Sequence, residues 1–196
     1  MKVFKVFLPL FMIITLCAGF FSPVIATSES ITNKILRLHI VANSDSTEDQ
    51  DMKLKVRNYF LENTADLFIG KTLEENIEIA IENREYIEQL CNDALAENGS
   101  DCTAKVTVCR EFFNTRVYDD FTLPAGVYNS IKITIGQGSG HNWWCIVFPS
   151  VCLSACTKSM DDYLSEEEME LVEGGYTPKF KAIEIYEKIK SQLSSK

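Results

Sequence analysis

The sequence predicts an α+β fold in which a helix pair and a C-terminal helix pack on a mainly antiparallel sheet. Apolar residues recur at helical spacing between residues 47 and 97 and again after Thr177. Residues 35–42 and 104–149 instead contain runs that alternate or are apolar throughout, as strands are. A helix pair followed by strands and then by one more helix is the order typical of an α+β domain.

The N-terminus has the layout of a secretory signal. Lys2 and Lys5 precede an apolar run over residues 6–21, and no acidic residue occurs before Glu29. The run is shorter than the roughly 20 residues that cross a bilayer as a helix. We therefore predict a signal peptide over residues 1–26 that is cleaved, with retention as an uncleaved anchor as the alternative.

Charge and length limit what the remaining chain can be. The formal net charge of −9 argues against binding to nucleic acid and against docking on anionic lipid, so a protein or a neutral partner is favoured. The membrane is then met only through the signal sequence. Residues 27–196 are enough for one ordinary core, and we predict a single domain over this range.

The first half of this domain is predicted to be a strand followed by two helices. Residues 35–42 form the strand, and the first helix begins after the polar segment Asn43–Ser46 and ends at Gly70. A second helix runs from about Leu73 to Glu97 and stops at Asn98-Gly99.

The polar segment at the start of the first helix has two interpretations. Residues 43–51 offer oxygen ligands at alternate positions, but they lack the glycine and the closing glutamate of a calcium loop. Helix capping, by Ser46 with Asp49 or by Asp45 with Glu48, is the favoured interpretation.

The second half is predicted to be strands and a last helix. Residues 104–109 alternate, and residues 127–135 place Val127 with Ile131, Ile133 and Ile135 on one face. Residues 143–149 are apolar on both faces, which predicts a central strand in a hairpin with 127–135. Residues 161–175 are predicted to be a solvated loop, and Thr177-Pro178 to open the final helix.

The chemistry-bearing residues gather after the glycine-rich segment Gly136–Gly140. No helix start follows these glycines, so a tight connection or a recognition loop is favoured over a phosphate-binding loop. The residue types of a zinc site are present, but their spacing fits no standard module, and neither a metal nor a cofactor is predicted. These residues are His141, Cys145, Cys152 and Cys156. A catalytic Cys145 with His141 or His39 as its base has little other support.

Two long stretches of unusual composition carry a resemblance to a known family. The first is residues 36–46 with its continuation through 48–50 and 54–57. The second joins 123–128 to the glycines and to 141–149 and Cys152, and 179–181 also fits. In these stretches the chain resembles the stage II sporulation protein R family.

That resemblance implies a signalling protein made in the forespore of an endospore-forming bacterium and exported into the space between two membranes. There it would activate a membrane-bound protease of the mother cell, which in turn processes pro-sigma-E. The implied role is that of an activator and not of an enzyme, with no small-molecule substrate. The alternatives are a secreted thiol- or metal-dependent cell-wall hydrolase using Cys145 and His141, and an inert structural spore or envelope protein.

Two further expectations concern the second stretch. Trp143 and Trp144 are adjacent on a strand and point to opposite faces, so either the sheet is covered on both sides or one tryptophan anchors a partner. The predicted partner-binding residues are Gly138, Gly140, His141, Asn142, Trp143 and Trp144. Cys145 and Cys152, which lie inside the family-like stretch, are predicted to form a disulfide. The other cysteines of the domain have no assigned partner: Cys91, Cys102, Cys109 and Cys156.

Overall fold

The computed structural model describes residues 2–118, 120–149 and 160–194. Its helices are α1 (Lys2–Thr32), α2 (Thr47–Thr64), α3 (Leu73–Glu82), α4 (Arg84–Glu97), α5 (Glu166–Glu173) and α6 (Pro178–Ser194), with a 3₁₀ turn at Met160–Asp162. Its strands are β1 (Leu36–Val41), β2 (Ala104–Phe113), β3 (Arg116–Val117), β4 (Thr122–Leu123), β5 (Gly126–Ile135) and β6 (Asn142–Phe148). The predicted α+β class is confirmed.

The chain divides into two compact units. The sheet unit consists of Asn33–Glu111 and Val127–Leu164, and the terminal unit consists of Met1–Thr32, Phe112–Gly126 and Ser165–Lys196. The assignment of residues 27–196 to one domain stays a prediction.

The main sheet has four strands in the order β2-β5-β1-β6. β1 runs parallel to β5, with Leu38 opposite Ile131, and antiparallel to β6, with Leu38 opposite Cys145. The predicted hairpin of β5 with β6 is therefore wrong, because β1 lies between them. The prediction of a central strand is also wrong, since β6 is the last strand on its side in the described part of the chain. Apolar residues on both faces of β6 reflect cover on both faces, which an edge strand can also have.

One face of this sheet packs on the helix pair. Side chains of alternate strand residues join α2, α3 and α4 in an apolar cluster that includes Leu38, Ile133 and Phe60, all fully buried. Tyr128 and Ser130 are fully buried as well, whereas Val127, which was expected to face the core, is exposed. The apolar cluster on the helix side includes Ile131, Ile133 and Ile135 but does not extend to Val127 at the start of β5.

The helix pair departs from its predicted bounds. α2 ends at Thr64 rather than at Gly70, and the predicted helix over 73–97 is interrupted at Asn83. The Asn83 side-chain amide donates to the Ile79 carbonyl, 2.8 Å away, and its backbone leaves the helical region. Asparagine side chains compete with the backbone in this way, so α3 ends there and α4 begins. The predicted stop at Asn98-Gly99 is confirmed.

In the terminal unit α1 contacts both α5 and α6. The predicted loop over 161–175 is wrong for residues 166–173, which form α5 behind a capping box made by Ser165 and Glu168. α6 begins at Pro178 as predicted, but only Phe180 and Ile183 of its apolar stripe are fully buried. Among the residues that the structure describes, no helix has an apolar stretch long enough to cross a membrane.

Candidate functional site

Two loops meet at the end of the sheet where β1 stops. One is residues 42–46, between β1 and α2, and the other is residues 136–141, which carries the chain from β5 past β1 to β6. We call them the paired loops. The Ser139 and Gly140 amides donate to the Asn43 and Ala42 carbonyls at 3.1 and 3.0 Å. The two loops are thus one hydrogen-bonded structure.

The glycines allow this close approach. Gly136 and Gly138 have φ values of 54° and 62°, which residues with a Cβ adopt at a cost. A Cβ at Gly140 would overlap the Ser44 carbonyl. The backbone that approaches these glycines closely is therefore residues 42–46 of the same chain. This corresponds to the tight connection, one of the two interpretations of the glycine-rich segment.

Asn43 and Asp49 organise the first loop from within. The Asn43 amide donates to Asp49 Oδ2 at 2.9 Å, and its oxygen accepts the Gln137 amide at 3.0 Å. Ser44 also donates to Asp49, and the hydrogen bonds from Ser44 and Asn43 hold the pKa of Asp49 below its usual value. The Asp49 carboxylate, one of those that a calcium site would use, is thus already hydrogen-bonded within the loop.

The predicted helix cap is confirmed. The Ser46 hydroxyl accepts the Asp49 amide at the start of α2. Within the described residues no group of three His, Cys, Asp or Glu side chains is arranged to hold a metal ion. Cys152 and Cys156, two of the residues considered for zinc, lie outside the described residues.

A buried lysine ties α2 to the second loop. Lys53 is 5% exposed, and its ammonium donates to the His141 carbonyl at 3.0 Å and to Gln50 Oε1 at 2.6 Å. Burial lowers the pKa of Lys53, while the nearby Asp45 carboxylate opposes that shift. The hydrogen bond from Lys53 thereby fixes the backbone of His141 against α2.

His141 itself lies at the surface. Its ring Nδ1 and its backbone amide both contact Asp45 Oδ1, at 2.5 and 2.6 Å. The ring is 79% exposed, so it is fixed in position but open to a partner. Asn142, the next residue, is also exposed.

The adjacent tryptophans take opposite faces, as predicted. Trp143 lies on the helix side, where the Arg57 guanidinium sits 5.0 Å from its ring centre. Trp144 lies on the other face and stacks on the His39 ring at 3.9 Å. Both are half-buried. The sheet is therefore partly covered on each side, and both tryptophans keep accessible surface.

A polar network that the sequence did not predict surrounds Trp144. His39 is 4% exposed, and its Nδ1 lies 2.9 Å from Glu111 Oε1 while its Nε2 lies 2.8 Å from Asn142 Oδ1. A carboxylate only accepts, so Nδ1 carries a proton. Glu111 also accepts from Ser130 at 2.8 Å and from Lys132 at 3.1 Å. All four strands of the sheet contribute to this network.

Glu111 is the charge on which the network depends. Burial alone would raise the pKa of Glu111, but the hydrogen bonds from His39, Ser130 and Lys132 and the charge of His39 bring it to about 2. The polar residues of β1 and β2 were visible in the sequence, but their pairing was not. His39 and Glu111 are 72 positions apart and meet only because β5 separates their strands.

The structure does not assemble the thiol site considered from the sequence. Cys145 is 2% exposed and belongs to the apolar cluster on the helix side, whereas His39 faces the opposite side of the sheet. His141 is at the surface with its ring on Asp45. Cys152 lies outside the described residues, so the Cys145–Cys152 disulfide stays a prediction. Cys91, Cys102 and Cys109 are unpaired.

Comparison with known proteins found one matching family and a curated relative. The family described as stage II sporulation protein R matches residues 32–158. Stage II sporulation protein R of Bacillus subtilis (strain 168) is 32% identical over 123 residues, which cover 62% of this chain and 55% of the relative. The chain thus spans about half the length of this curated relative. No solved structure matches.

Proposed function

This chain belongs to the stage II sporulation protein R family, and from that premise we propose that it is a secreted signalling protein of sporulation. It passes between compartments and activates a membrane-bound protease in the mother-cell membrane. That protease then processes pro-sigma-E. The signal over residues 1–26 delivers the chain to the space between forespore and mother cell.

The paired loops are the observation that carries this proposal. They lie inside the family match, and they present the exposed His141 next to the exposed Asn142 and the half-buried Trp144 at the start of β6. Each is held by buried or hydrogen-bonded groups, so binding a partner costs little ordering. Gly138 and Gly140 allow the tight path of the second loop, and Trp143 lies on the helix side of β6. In this proposal these three predicted partner-binding residues support the surface and do not contact the partner.

Activation by binding requires a difference in affinity. The surface must bind the active conformation of the protease more tightly than its inactive conformation, because equal affinity shifts no equilibrium. A rigid surface suits this task, since it fits one shape of the partner and not the other. The chain would act without a cofactor and without chemistry of its own.

Co-expression tests this function directly. The full chain, the protease and pro-sigma-E are produced together in a bacterial host that does not sporulate, and conversion of pro-sigma-E is followed by immunoblot. We expect conversion with the chain and none without it. Absence of conversion in the presence of an exported, folded chain would overturn the proposed function.

Alanine variants then test the surface. His141→Ala and Trp144→Ala are expected to reduce conversion at least about 30-fold, the loss typical of an interface hot spot. Tyr86→Ala, at a 52% exposed aromatic residue of α4, is the matched control and should convert normally. A His141→Ala variant that is folded and fully active would move the docking surface elsewhere while leaving the function intact.

The hydrolase alternative has its own readout. A thiol hydrolase loses all release of cell-wall fragments when Cys145 is replaced by serine, whereas an activator releases none in either form. Purified protein incubated with isolated cell walls distinguishes the two. The burial of Cys145 in the apolar cluster favours the activator.

A further inference from the structure

Helix α6 has an outer face that nothing in the described structure covers. Ile185, Ile189 and Leu193 follow one another at four-residue spacing and are 53%, 52% and 72% exposed. The buried residues Phe180 and Ile183 lie on the opposite side of the helix. α6 is thus apolar on two sides, and only one of them packs within the terminal unit.

The charge of α6 is opposite to that of the chain. It carries four lysines and two glutamates, a net +2, in a chain of −9. Among the other described helices, α2 to α5 are each net negative. The excess of lysine on α6 therefore stands out against an acidic background.

The four lysines of α6 lie along the two edges of its outer apolar stripe. At 100° per residue, Lys181 and Lys188 border one edge of the outer apolar stripe, and Lys179 and Lys190 border the other. The two glutamates lie toward the inner side, where Glu187 is 6% exposed. An apolar stripe with lysines on both edges is the pattern of helices that lie flat on anionic bilayers, with the lysine stems along the stripe and the ammonium groups at the headgroups.

The surroundings of α6 extend the same surface. Phe112 is 44% exposed and lines a groove with Ile185 and Ala125, bordered by Lys181 and Lys188. Lys181 pairs with Glu184 at 3.0 Å, and on the other edge Lys190 pairs with Glu29 at 2.6 Å. Both lysines are about half exposed or more, and ion pairs at such positions are weak. They can give way to lipid phosphates.

We infer that α6 docks on the surface of an anionic lipid bilayer, with Ile185, Ile189 and Leu193 at the acyl boundary and its lysines on the phosphates. This goes beyond the proposed function, and it changes two expectations. The net charge of the whole chain argued against docking on anionic lipid, but the charge that faces the bilayer is the net +2 of α6. The membrane is also no longer met only through the signal sequence. The family model matches residues 32–158, so α6 lies outside the part of the chain that it covers. Docking would hold the chain beside a bilayer without a helix that crosses it.

Vesicle sedimentation tests the inference on the full chain, with the leader present. Vesicles of equal phosphatidylglycerol and phosphatidylcholine are compared with vesicles of phosphatidylcholine alone. Every variant keeps the same N-terminus, so any contribution of the leader is constant. We expect binding to the anionic vesicles that is stronger than to neutral ones and that weakens as salt is raised.

Two variants locate the effect on α6. The double variant Lys181→Glu with Lys188→Glu is expected to bind anionic vesicles at least about 25-fold more weakly, from roughly five-fold for each lysine near an anionic surface. Ile189→Asp should bind at least about ten-fold more weakly. The matched controls are Lys55→Glu on α2 and Ile81→Asp on α3, which is 57% exposed, and both should bind as the wild type does.

Three results would overturn the inference. The first is equal binding of wild type and double variant, and the second is equal loss in the α2 and α3 controls. The third is a wild type that does not bind vesicles but forms a dimer, with the Ile189→Asp variant monomeric. That result would show that the outer face of α6 binds a second copy of the chain. Circular dichroism confirms that each variant is folded. Because pro-sigma-E conversion is measured separately, failure here leaves the proposed function standing.

Discussion

The two faces of the four-stranded sheet are held by different interactions. Toward α2, α3 and α4 the strands present Leu38, Ile131 and Ile133, which are fully buried among other apolar side chains. On the opposite face His39 and Glu111 head a network of directed hydrogen bonds. Apolar burial has no direction, so it fixes that the sheet packs on the helices but not which strands are neighbours.

The polar face supplies what the apolar face lacks. Glu111 of β2 reaches His39 of β1 across β5, and His39 reaches Asn142 of β6. These contacts form only when all four strands stand in one order and register. The difference suggests that stability comes mainly from one face and specificity from the other, and three substitutions test that division.

The largest loss of stability is expected on the apolar face. Ile133→Ala removes a fully buried side chain and leaves a cavity, at a cost of about 4 kcal/mol in the free energy of unfolding. Urea denaturation measures it. Val127→Ala, on the same strand but 38% exposed, is the control and should cost about 0.5 kcal/mol or less. Similar losses at both positions would contradict the assignment of the core to the helix side.

A smaller loss that depends on pH is expected on the polar face. Glu111→Gln removes the charge that His39, Ser130 and Lys132 share, at a cost of about 2 to 3 kcal/mol near neutral pH. The pKa of Glu111 falls from 4.5 to about 2 on folding, so its contribution is complete above 4.5 and is lost as the pH falls toward 2.

The comparison across pH separates the charge from packing. The stability difference between wild type and Glu111→Gln should shrink between about pH 5 and pH 2. Glu85→Gln, at an 88% exposed carboxylate on α4, should change stability little at any pH. A difference that stays constant with pH would show that Glu111 acts through its shape alone.

The smallest effect is expected from Ser130→Ala. Ser130 is fully buried but donates only one of the hydrogen bonds that Glu111 accepts, and His39 and Lys132 remain. The expected cost is about 1 kcal/mol, measured by urea denaturation. In the Glu111→Gln background the same substitution should cost less, because its carboxylate partner is gone. Full additivity of the two substitutions would argue against a shared network.

The sequence and the structure agree where the signal is short-range. The cap at Ser46, the helix start at Pro178 and the glycines of the second loop were predicted, and each is where the sequence placed it. Even here a signal was missed, since Ser165 with Glu168 is a capping box inside a segment predicted to be a loop. The acidic composition of that segment obscured it.

The predictions that were wrong concern interactions beyond the immediate neighbours in the sequence. The break between α3 and α4 depends on the Asn83 side chain, which donates to the Ile79 carbonyl instead of facing solvent. The predicted hairpin of β5 with β6 is wrong because β1 lies between these strands. Of the candidate site, the exposed His141 and the opposed tryptophans followed from local pattern. The His39–Glu111 network did not, because no spacing in the sequence relates β1 to β2.

Sequence patterns alone identified most of the helices and strands, the leader pattern, the family likeness and the glycine positions that let two loops meet. These depend on interactions within a few residues, or on composition, and can be seen along the chain. The strand order, the edge position of β6 and the burial of His39 against Glu111 became visible only in the folded structure. Such features depend on the free energy of pairing segments that are distant in sequence, and several orders with similar local preferences compete until the whole sheet is packed.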